Sequence, residues 1–220
     1  MAVMTMRVLV VDDHPAVRVG LTMIINSVAD VEVVGEAVNG EQALKLAQTL
    51  RPDVVLMDIR MPLLDGIATT RRMCALGVTN ILLTTAFDSE EYLFGALRAG
   101  AAGFILKDTD ADSLITALRS VANGDGALSP SVTRRLIADY ATRLSPPEAR
   151  EHQAKVLEPL TAREQEVLAC IGRGLSNRQI ATALELAENT AKTHVSRVLA
   201  KLGLNSRVQA AILAQELDLT

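Results

Sequence analysis

Carboxylates end two of the short apolar runs in the first half of this sequence. Asp12 and Asp13 directly follow the run at 8–11, and Asp58 ends the run at 54–57. Runs of four or five apolar residues indicate strands buried on both faces of a parallel sheet, and ligands of such sheets bind at the carboxyl ends of the strands. Three carboxylates at one edge repel one another unless a cation joins them, and Mg²⁺ is the default divalent ion for oxygen ligands.

A hydroxyl group and an ammonium group end two later apolar runs. Thr85 closes the run that begins at residue 81, and Lys107 follows the run at 103–106. A carboxylate nucleophile, a metal ion, a hydroxyl and a fixed positive charge together suit the transfer of a phosphoryl group to Asp58. Simpler interpretations exist for each residue. The carboxylates could cap turns or a helix, Thr85 could lie in a turn, and Lys107 could be a solvated strand end.

These residues require a framework of alternating strands and helices. The sequence predicts five strands over the first 124 residues, each followed by a helix with apolar spacing of three and four. This alternation predicts a flavodoxin-like α/β fold, a doubly wound five-stranded parallel sheet in which the first and third strands are neighbours. The predicted strands are 7–11, 31–37, 54–57, 81–84 and 103–106, and the predicted helices are 14–28, 40–50, 67–76, 88–100 and 110–123.

Length, charge and cysteine content limit the class of protein. A chain of 220 residues accommodates two domains, and its net charge of −4 excludes a uniformly basic nucleic-acid coat. No apolar run is long enough to cross a membrane, and the first run leads into Asp12 rather than a signal-peptide cleavage site. Cys74 and Cys170 lie far apart without metal-binding spacing, which favours free thiols in a reducing compartment. We therefore predict a cytoplasmic protein.

Residues 7–124 resemble receiver domains of two-component signalling. The resemblance is carried by spaced motifs: Val-Asp-Asp-His-Pro at 11–15, Met-Asp-Ile-Arg-Met-Pro at 57–62 with Asp65-Gly66, Thr85-Ala86, and Ala-Gly-Ala-Ala-Gly-Phe at 99–104 leading to Lys107. It implies that Asp58 accepts a phosphoryl group from a sensor histidine kinase. It also implies a Mg²⁺ site formed by Asp12, Asp13, Asp58 and the backbone carbonyl group of Arg60.

The same resemblance implies roles for three residues on the later strands. Thr85 would hydrogen-bond to the phosphoryl group, and Lys107 would pair with it. Phe104 occupies the position of the family's switch aromatic residue. Because phenylalanine has no hydroxyl group, any switching at this position would depend on packing alone.

The last part of the chain contains only helical patterns. Residues with capping-box spacing predict short helices from 162 and 177, a longer helix is predicted over 188–202, and a fourth follows from 205. Two short helices joined by a tight turn and followed by a longer one predict an all-α helix-turn-helix domain.

A linker is predicted at 125–156, between domains at 1–124 and 157–220. A short helix is expected from Ser129 to about Tyr140, followed by a polar segment that contains prolines. Residues 1–120 carry ten basic against fifteen acidic residues, whereas residues 155–220 carry eight against seven. The excess of negative charge therefore lies in the first domain.

The predicted third helix of the second domain has an apolar and a polar face. Residues with core spacing are Ala191, Val195, Val198, Leu199 and Leu202. The opposite face carries short side chains flanked by two cations: Asn189, Thr193, Ser196 and Ala200, with Lys192 and Arg197 on either side. Such a face suits a major groove, because cations reach phosphates while short side chains reach base edges. An ordinary solvated face is an equally good interpretation of this helix alone.

Residues 158–217 resemble the four-helix DNA-binding domain of NarL/LuxR-type response regulators. The match is carried by Leu-Thr-Ala-Arg-Glu-Gln-Glu-Val-Leu at 160–168, Gly-Leu-Ser-Asn at 174–177, Gln-Ile-Ala at 179–181, Lys-Thr-His-Val at 192–195 and Lys-Leu-Gly at 201–203. It implies base contacts by Lys192, Thr193 and Ser196, with His194 and Arg197 nearer the DNA backbone. It also implies that the fourth helix pairs two subunits on DNA.

Two residues depart from the pattern of this family. Ala187 stands where a serine normally begins the third helix, which removes an N-cap worth about 1 kcal/mol. Ala191 stands where valine is usual, so the core beneath the helix is thinner. Neither change removes a predicted DNA contact.

Together these features predict a response-regulator transcription factor. Phosphorylation of Asp58 would control dimerisation and binding to double-stranded DNA. The chain would not be an enzyme, apart from catalysing its own phosphorylation and dephosphorylation. A phosphohydrolase with Asp58 as its nucleophile is disfavoured because Arg60, rather than an acid or base, stands two positions later. A regulator controlled by protein contacts without phosphorylation is disfavoured by the complete set of site residues.

Overall fold

The computed structural model describes residues 5–86, 90–128, 156–217 and 219. The chain divides into two compact units, residues 1–132 and 133–220. The helix expected from Ser129 and the start of the helix predicted at residue 88 lie outside the described residues. The domain limits derived from the sequence stay a prediction, because most of the linker lies there too. None of the described helices is both long and apolar enough to span a membrane.

The first unit is a parallel sheet covered by helices. Its described strands are β1 (Met6–Val11), β2 (Val31–Ala37), β3 (Val54–Asp58), β4 (Ile81–Thr85), β5 (Gly103–Leu106) and β6 (Ala127–Leu128). The described helices are α1 (Pro15–Asn26), α2 (Gly40–Leu50), α3 (Gly66–Ala75), α4 (Glu90–Ala99) and α5 (Ala111–Ala122). The strands lie in the order β2-β1-β3-β4-β5-β6, and all neighbours are parallel. The predicted α/β fold and the predicted pairing of the first and third strands are confirmed.

Within the described residues the sheet has six strands, one more than the sequence predicts. β6 contains only Ala127 and Leu128, which pair with Gly103 and Phe104 of β5. A two-residue segment has no periodicity from which a strand could be predicted. Its pairing depends on close approach to β5, since a Cβ atom at Gly103 would lie 2.6 Å from the carbonyl oxygen of Ala127. The five-stranded prediction is therefore corrected to six strands.

The middle strands are buried on both faces, as their apolar runs predict. Every residue of β3 and β4 is buried, and so are the last four residues of β1. On one face, Ile25 of α1 and Leu118 of α5 belong to the same apolar cluster as Val10 and Leu56 of the strands. Because helices cover the faces of the sheet, the ends of its strands remain accessible. The predicted site residues Asp12, Asp58 and Lys107 lie at these ends.

The second unit, as far as it is described, is a group of four helices: α6 (Ala162–Gly172), α7 (Asn177–Ala183), α8 (Glu188–Leu202) and α9 (Arg207–Glu216). Thr161 with Glu164 and Ser176 with Gln179 form reciprocal capping boxes, as predicted. Ala187 precedes α8 and supplies no side-chain hydrogen bond, which confirms the missing N-cap. The first turn of α8 therefore lacks the stabilisation that the other three helices obtain from a side-chain cap.

An ion pair between a buried carboxylate and an exposed lysine joins α6 to α8. Glu164 is buried, and Lys201 Nζ lies 2.6 Å from its Oε2 atom. Hydrogen bonds from Lys201 and from Thr161 lower the pKa of Glu164 to about 2. The carboxylate is therefore ionised at neutral pH, and the pair ties the last turn of α8 to the first turn of α6.

The last helix, α9, packs into this group through one of its two apolar faces. Ala210, Ala214 and Leu217 are buried, whereas Ala211 and Ile212 remain partly exposed. The helix begins at Arg207, two residues later than predicted, because the hydroxyl of Ser206, not the side chain of Asn205, accepts the capping hydrogen bond. Ala211 and Ile212 therefore form a narrow strip that stays available at the surface of the unit.

Candidate functional site

The carboxyl ends of β1 and β3 bring two of the predicted carboxylates together. The two strands pair in parallel with Val11 opposite Met57, so the residues that follow, Asp12 and Asp58, lie side by side. Asp12 is 0% exposed and Asp58 is 5% exposed. Holding two adjacent carboxylates away from water is unfavourable unless a positive charge compensates them.

That positive charge is the ammonium group of Lys107, which follows β5. Lys107 Nζ lies 2.6 Å from Asp12 Oδ2 and 3.0 Å from Asp58 Oδ2. The backbone N–H of Lys107 donates a hydrogen bond of 2.9 Å to the carbonyl oxygen of Thr85 at the end of β4. The end of β4 thus anchors the backbone of Lys107, and its long side chain reaches both carboxylates.

Burial and Lys107 act on Asp58 in opposite directions. Burial raises the pKa of Asp58 and the charge of Asp12 also raises it, while Lys107 lowers it, and the net pKa lies above its ordinary value. Burial by itself lowers the pKa of Lys107, but its hydrogen bonds and charge interactions with Asp12 and Asp58 outweigh burial and raise that pKa. Lys107 therefore remains charged at neutral pH, and a further cation at this edge would favour the ionised form of Asp58.

Asp13 and His14 follow Asp12 at the same strand end. His14 Nδ1 lies 2.9 Å from Asp13 Oδ1, and the His14 backbone N–H donates a hydrogen bond to Asp12 Oδ1 at 2.9 Å. Ligand atoms of Asp12, Asp13 and His14 lie within 4.8 Å of one another. The carboxylate oxygens are hard ligands that suit a divalent ion such as Mg²⁺. His14 is absent from the residues that the sequence singles out, although its position directly after two aspartates was a signal.

The loop after β3 is shaped to keep Asp58 at the strand end. The backbone N–H of Gly66 donates a 2.8 Å hydrogen bond to the carbonyl oxygen of Ile59. A Cβ atom at Gly66 would lie 2.9 Å from Ile59 Cα and would overlap the carbonyl oxygen of Asp58. Asp65 then caps α3 by accepting a hydrogen bond of 2.7 Å from the backbone N–H of Ala68. A glycine is therefore required at the start of α3, which lies against the backbone of Asp58 and Ile59.

Thr85 and Phe104, the two predicted switch residues, are both buried. Thr85 ends β4 next to Thr84, which is opposite Asp58 in the strand register. Phe104 lies within β5, opposite Leu83, and only 1% of it is exposed. Any change of Phe104 packing would therefore displace neighbouring core atoms.

An open cleft of about 530 Å³ lies beside the acidic residues. His14 and Arg60 line it on the side of the strand ends, and Tyr92 of α4 lines it as well. Arg60 is exposed there, in the loop that immediately follows Asp58 and Ile59. Tyr92 carries no motif signal in the sequence, so its position was not predictable.

The helix predicted to contact DNA has the faces that its sequence predicts. Ala191, Val195 and Val198 are buried, and Leu199 and Leu202 pack partly buried against the core of the second unit. The predicted contact residues lie on the other side or at its flanks: Asn189, Thr193, Ser196 and Arg197 are exposed, and Lys192 and His194 are partly exposed.

Hydrogen bonds within α8 restrict what its polar groups can offer. The hydroxyl of Thr193 donates to the carbonyl oxygen of Asn189 at 2.9 Å, and the hydroxyl of Ser196 donates to that of Lys192 at 3.0 Å. While these hydrogen bonds are formed, both hydroxyl groups can only accept a hydrogen bond from an outside group. Among the described residues, His194 Nδ1 is a buried side-chain atom without a hydrogen-bond partner, which leaves only Nε2 for an outside contact.

Two family models match the chain, one for each unit. Residues 8–119 match the response regulator receiver domain, and residues 158–214 match the LuxR family of bacterial regulatory proteins. The chain belongs to the NarL/LuxR family of response regulators.

Relatives match this response regulator over nearly its whole length. It is 42% identical over 209 residues to the transcriptional regulatory protein YxjL of Bacillus subtilis, with 94% of each chain covered. It is 37% identical over 206 residues to the nitrate/nitrite response regulator protein NarL of Escherichia coli K12, with 93% of each chain covered. Among solved structures, the response regulator ChrA of a heme-sensing two-component system is 35% identical with a TM-score of 0.54, and the match covers 99% of this chain and 100% of that one.

Membership of this family establishes the class of activity. The response regulator is a DNA-binding transcription regulator with a receiver domain, and its relatives are transcriptional regulators rather than enzymes. The family also implies a kinase partner and DNA binding, and the acidic cluster is of the kind with which receiver domains hold a divalent ion.

In this response regulator the predicted receiver residues converge on one edge of the sheet. Asp12, Asp58 and Lys107 form a single ion-paired group, and Asp13 adjoins it. Thr85 connects to the group through the backbone of Lys107. Phe104 lies further back in the core rather than in this group.

Proposed function

We propose that Asp58 accepts a phosphoryl group from a sensor histidine kinase, and that phosphorylation controls dimerisation and sequence-specific DNA binding. The observation that carries this proposal is the pairing of a buried Asp58 with Lys107 beside Asp12, at the carboxyl end of β3. The next two residues of the chain, Ile59 and Arg60, line the cleft. An aspartate that served only to cap a turn would gain nothing from a partly buried ammonium group and a second buried carboxylate.

The acceptor chemistry requires the ionised form of Asp58. One carboxylate oxygen attacks the phosphorus atom, a new O–P bond forms, and the N–P bond to the imidazole of the kinase breaks in line with it. The imidazole leaves with the bonding electron pair, and Lys107 stays close to the transferred oxygens because it already contacts Asp58. The Thr85 hydroxyl donates to a phosphoryl oxygen. Because burial raises the pKa of Asp58, Lys107 is needed to keep the nucleophile ionised.

The same edge suits one divalent cation. Asp12, Asp13, Asp58 and the backbone carbonyl of Arg60 would hold Mg²⁺, whose bound charge offsets the negative charge of the transferred phosphoryl group. Support comes from the crowded carboxylate oxygens, of which those of Asp12 and Asp58 share a single ammonium group. A hydrogen bond between His14 and Asp13 restricts the orientation of the Asp13 carboxylate.

Phosphorylation then changes the balance of charge within the pocket. A phosphoryl group adds about 1.5 to 2 negative charges. Lys107 and Thr85 reorganise toward the new oxygens, and Phe104 adjusts its packing, so that the surface of the receiver changes between two states. One of these states favours a dimer that binds double-stranded DNA.

The DNA contacts belong to α8. Lys192, Thr193 and Ser196 are the proposed base contacts, with Asn189 on the same face, and Arg197 and His194 are nearer the phosphates. Support comes from the exposure of this face and the burial of the opposite one. Two subunits paired through the partly exposed strip of α9 would place two such helices on paired half-sites. Because its proposed partners are a sensor kinase and DNA, we propose that the protein acts in the cytoplasm.

The decisive experiment measures intact mass after incubation with acetyl phosphate and Mg²⁺. We expect one added phosphoryl group on the wild type and none on Asp58→Ala, with Asp53→Ala, another strand-proximal aspartate, labelled like the wild type. Labelling of the Asp58 variant would overturn the assignment of the acceptor. No adduct on either protein, also with a shortened reaction time, would favour control by protein contacts without phosphorylation.

A further inference from the structure

The backbone carbonyl group of Asp12 has a hydrogen-bond partner outside the sheet. The pairing of β1 with β2 and β3 ends at Val11, one residue before Asp12. Because Asp12 is fully buried, its carbonyl oxygen is closed to bulk water and needs a donor within the protein. That donor is Arg18 of α1, whose Nη1 atom lies 2.8 Å from the oxygen. The first turn of α1 is therefore tied back to the strand end that carries the acidic site.

Glu36 of β2 holds Arg18 in this position. Arg18 Nε donates a hydrogen bond of 3.1 Å to Glu36 Oε2, and the hydroxyl of Thr22, one turn later on α1, donates to Glu36 Oε1 at 3.2 Å. Only 14% of the Arg18 side chain is exposed. Because the guanidinium group is a rigid planar fork, the bond from Nε to Glu36 also fixes the direction in which Nη1 points.

This contact completes the anchoring of Asp12. Its backbone N–H donates to the carbonyl oxygen of Ala37, its Oδ1 atom accepts from the backbone N–H of His14, and its Oδ2 atom contacts Lys107 Nζ. The carbonyl group of Asp12 and the N–H of Asp13 belong to one planar peptide unit. A donor that fixes the plane of this unit therefore also fixes the direction in which the chain enters Asp13, and with it the reach of the Asp13 carboxylate.

The charge of Arg18 by itself does not suit a cation site. A guanidinium group beside the acidic residues repels a divalent ion, so its removal would tighten the binding of such an ion if charge alone mattered. An ion pair that served only to join α1 to β2 would also be complete with Glu36 alone. The bond to the Asp12 carbonyl group therefore indicates a geometric role. A role in geometry and a role in charge predict opposite changes in metal affinity when Arg18 is removed.

We propose that Arg18 is a positioning residue for the divalent-cation site, and that it directs the Asp13 carboxylate toward the ion by holding the Asp12 carbonyl group. This inference rests on the proposed function and adds a residue outside the proposed ligands on which that function depends. Among the described residues, the hydrogen bonds of Arg18 go to Asp12 and Glu36. Phosphoryl transfer to Asp58 should therefore depend on Arg18 only through the ion.

The test measures Mg²⁺ binding to the unphosphorylated full chain by isothermal titration calorimetry. Arg18→Met removes the donors and keeps an unbranched side chain that can fill the same space. Glu36→Gln removes the ion pair but leaves the bond from Arg18 to Asp12 in place. Arg119→Met is the matched control, because it removes a guanidinium group that is paired with Asp30, just before β2 and so at the other end of the sheet. Thermal unfolding with a chelator present checks that each variant is folded.

We expect Arg18→Met to bind Mg²⁺ about tenfold to a hundredfold more weakly than the wild type, the range typical of residues that orient metal ligands, although the variant has lost a positive charge. Glu36→Gln and Arg119→Met should bind Mg²⁺ with nearly the affinity of the wild type. Labelling by acetyl phosphate gives a second readout. Arg18→Met should need a correspondingly higher Mg²⁺ concentration for half of its maximal labelling rate, and should reach the wild-type rate once Mg²⁺ saturates the site.

Unchanged or tighter Mg²⁺ binding by Arg18→Met would overturn the inference. An equal loss in Glu36→Gln would also overturn it, because the effect would then belong to the link between α1 and β2. A labelling rate that stays low at saturating Mg²⁺ would show that Arg18 acts on more than the ion. If Arg18→Met does not fold, Arg18→Gln, whose shorter side chain also lacks the guanidinium donors, takes its place. A wild type that binds no Mg²⁺ would refute the proposed metal site itself, which differs from an intact site that is independent of Arg18.

Discussion

Lys107 Nζ lies 3.0 Å from Asp58 Oδ2, so the proposed phosphoacceptor is paired with a cation before any phosphoryl group arrives. The same nitrogen also binds Asp12, which makes one lysine responsible for compensating two buried carboxylates. A metal ion or a phosphoryl group at this site would therefore change the contacts that Lys107 makes with the two carboxylates. The stability of the receiver and the two proposed roles of the site, metal binding and phosphorylation, therefore depend on the same contact.

Replacing Lys107 by alanine should destabilise the receiver in a pH-dependent way. A buried charge that loses its partner costs about 3–5 kcal/mol, and here two carboxylates lose theirs. Because the pKa of Asp58 is raised in the folded state, its protonated form favours folding at low pH, and that contribution is lost as pH rises through the folded pKa. Removing Lys107 raises this pKa further. The variant should therefore lose more free energy of unfolding, relative to the wild type, at pH 7.5 than at pH 5. Urea unfolding in the presence of a chelator measures this difference. The matched control is Lys45→Ala, at an exposed lysine of α2, and equal losses at both pH values would contradict the argument.

Adding one methyl group at Gly66 should disturb Asp58 directly. The Cβ atom of Gly66→Ala would meet Ile59 Cα at 2.9 Å and the carbonyl oxygen of Asp58, both backbone groups that cannot rotate away. We expect a loss of about 1–3 kcal/mol in the free energy of unfolding and slower labelling by acetyl phosphate. Gly20→Ala is the control, because a Cβ atom there meets nothing within 4 Å inside α1, and it should stabilise the protein by about 0.4–1 kcal/mol. A Gly66 variant as stable as the wild type would show that the loop can move.

The ion pair of Glu164 and Lys201 should make the stability of the second unit acid-sensitive. The pKa of Glu164 is lowered in the folded state to about 2 from an ordinary value of 4.5. Its contribution is therefore fully present above pH 4.5 and is lost as pH falls toward 2. Urea unfolding of the full chain should show Glu164→Gln to be less stable than the wild type at pH 6, with the difference shrinking by pH 3. Glu166→Gln, at an exposed position on the same helix, should show little difference at either pH.

Restoring a cap to α8 should stabilise the second unit. Ala187 has extended backbone angles at the N-cap position but no side-chain acceptor. Ala187→Ser supplies one and should add about 1 kcal/mol to the free energy of unfolding. Ala200→Ser changes an exposed position inside the same helix and should give no gain, because serine has a lower helix propensity than alanine. Thermal unfolding followed by circular dichroism compares the two, and equal effects would argue against capping as the cause.

Arg197 and Lys192 should respond differently to salt. Arg197 is exposed on the flank opposite Lys192, where a phosphate contact is proposed. Arg197→Ala should weaken binding to specific and unrelated DNA alike and reduce the slope of log affinity against log salt by about 0.9. Lys192→Ala should instead lose more affinity for the specific site than for unrelated DNA. Fluorescence anisotropy over a series of salt concentrations measures both, and an unchanged slope for Arg197→Ala would exclude a phosphate contact there.

Much of the molecule follows from local patterns in the sequence. The apolar runs at 54–57 and 81–84 predict buried strands because a strand covered on both faces tolerates no polar side chains, and both strands are fully buried. The caps at Thr161 and Ser176 are equally local, since each side chain accepts a hydrogen bond from the backbone N–H three residues later. Asp12, Asp58 and Lys107 could be named because each stands directly after such a run.

The tertiary structure decided how these residues combine. Only strand order and register bring Lys107 to both Asp12 and Asp58, across chain separations that no local pattern spans. The two-residue strand β6 exists because Gly103 admits a second backbone beside it, and its own sequence carries no signal. The sequence by itself determined the elements and the chemical groups, because propensity and periodicity act between near neighbours. Distances between groups on different strands arise only from packing, which is why the shared ammonium group and the role of Gly66 emerged from the folded protein.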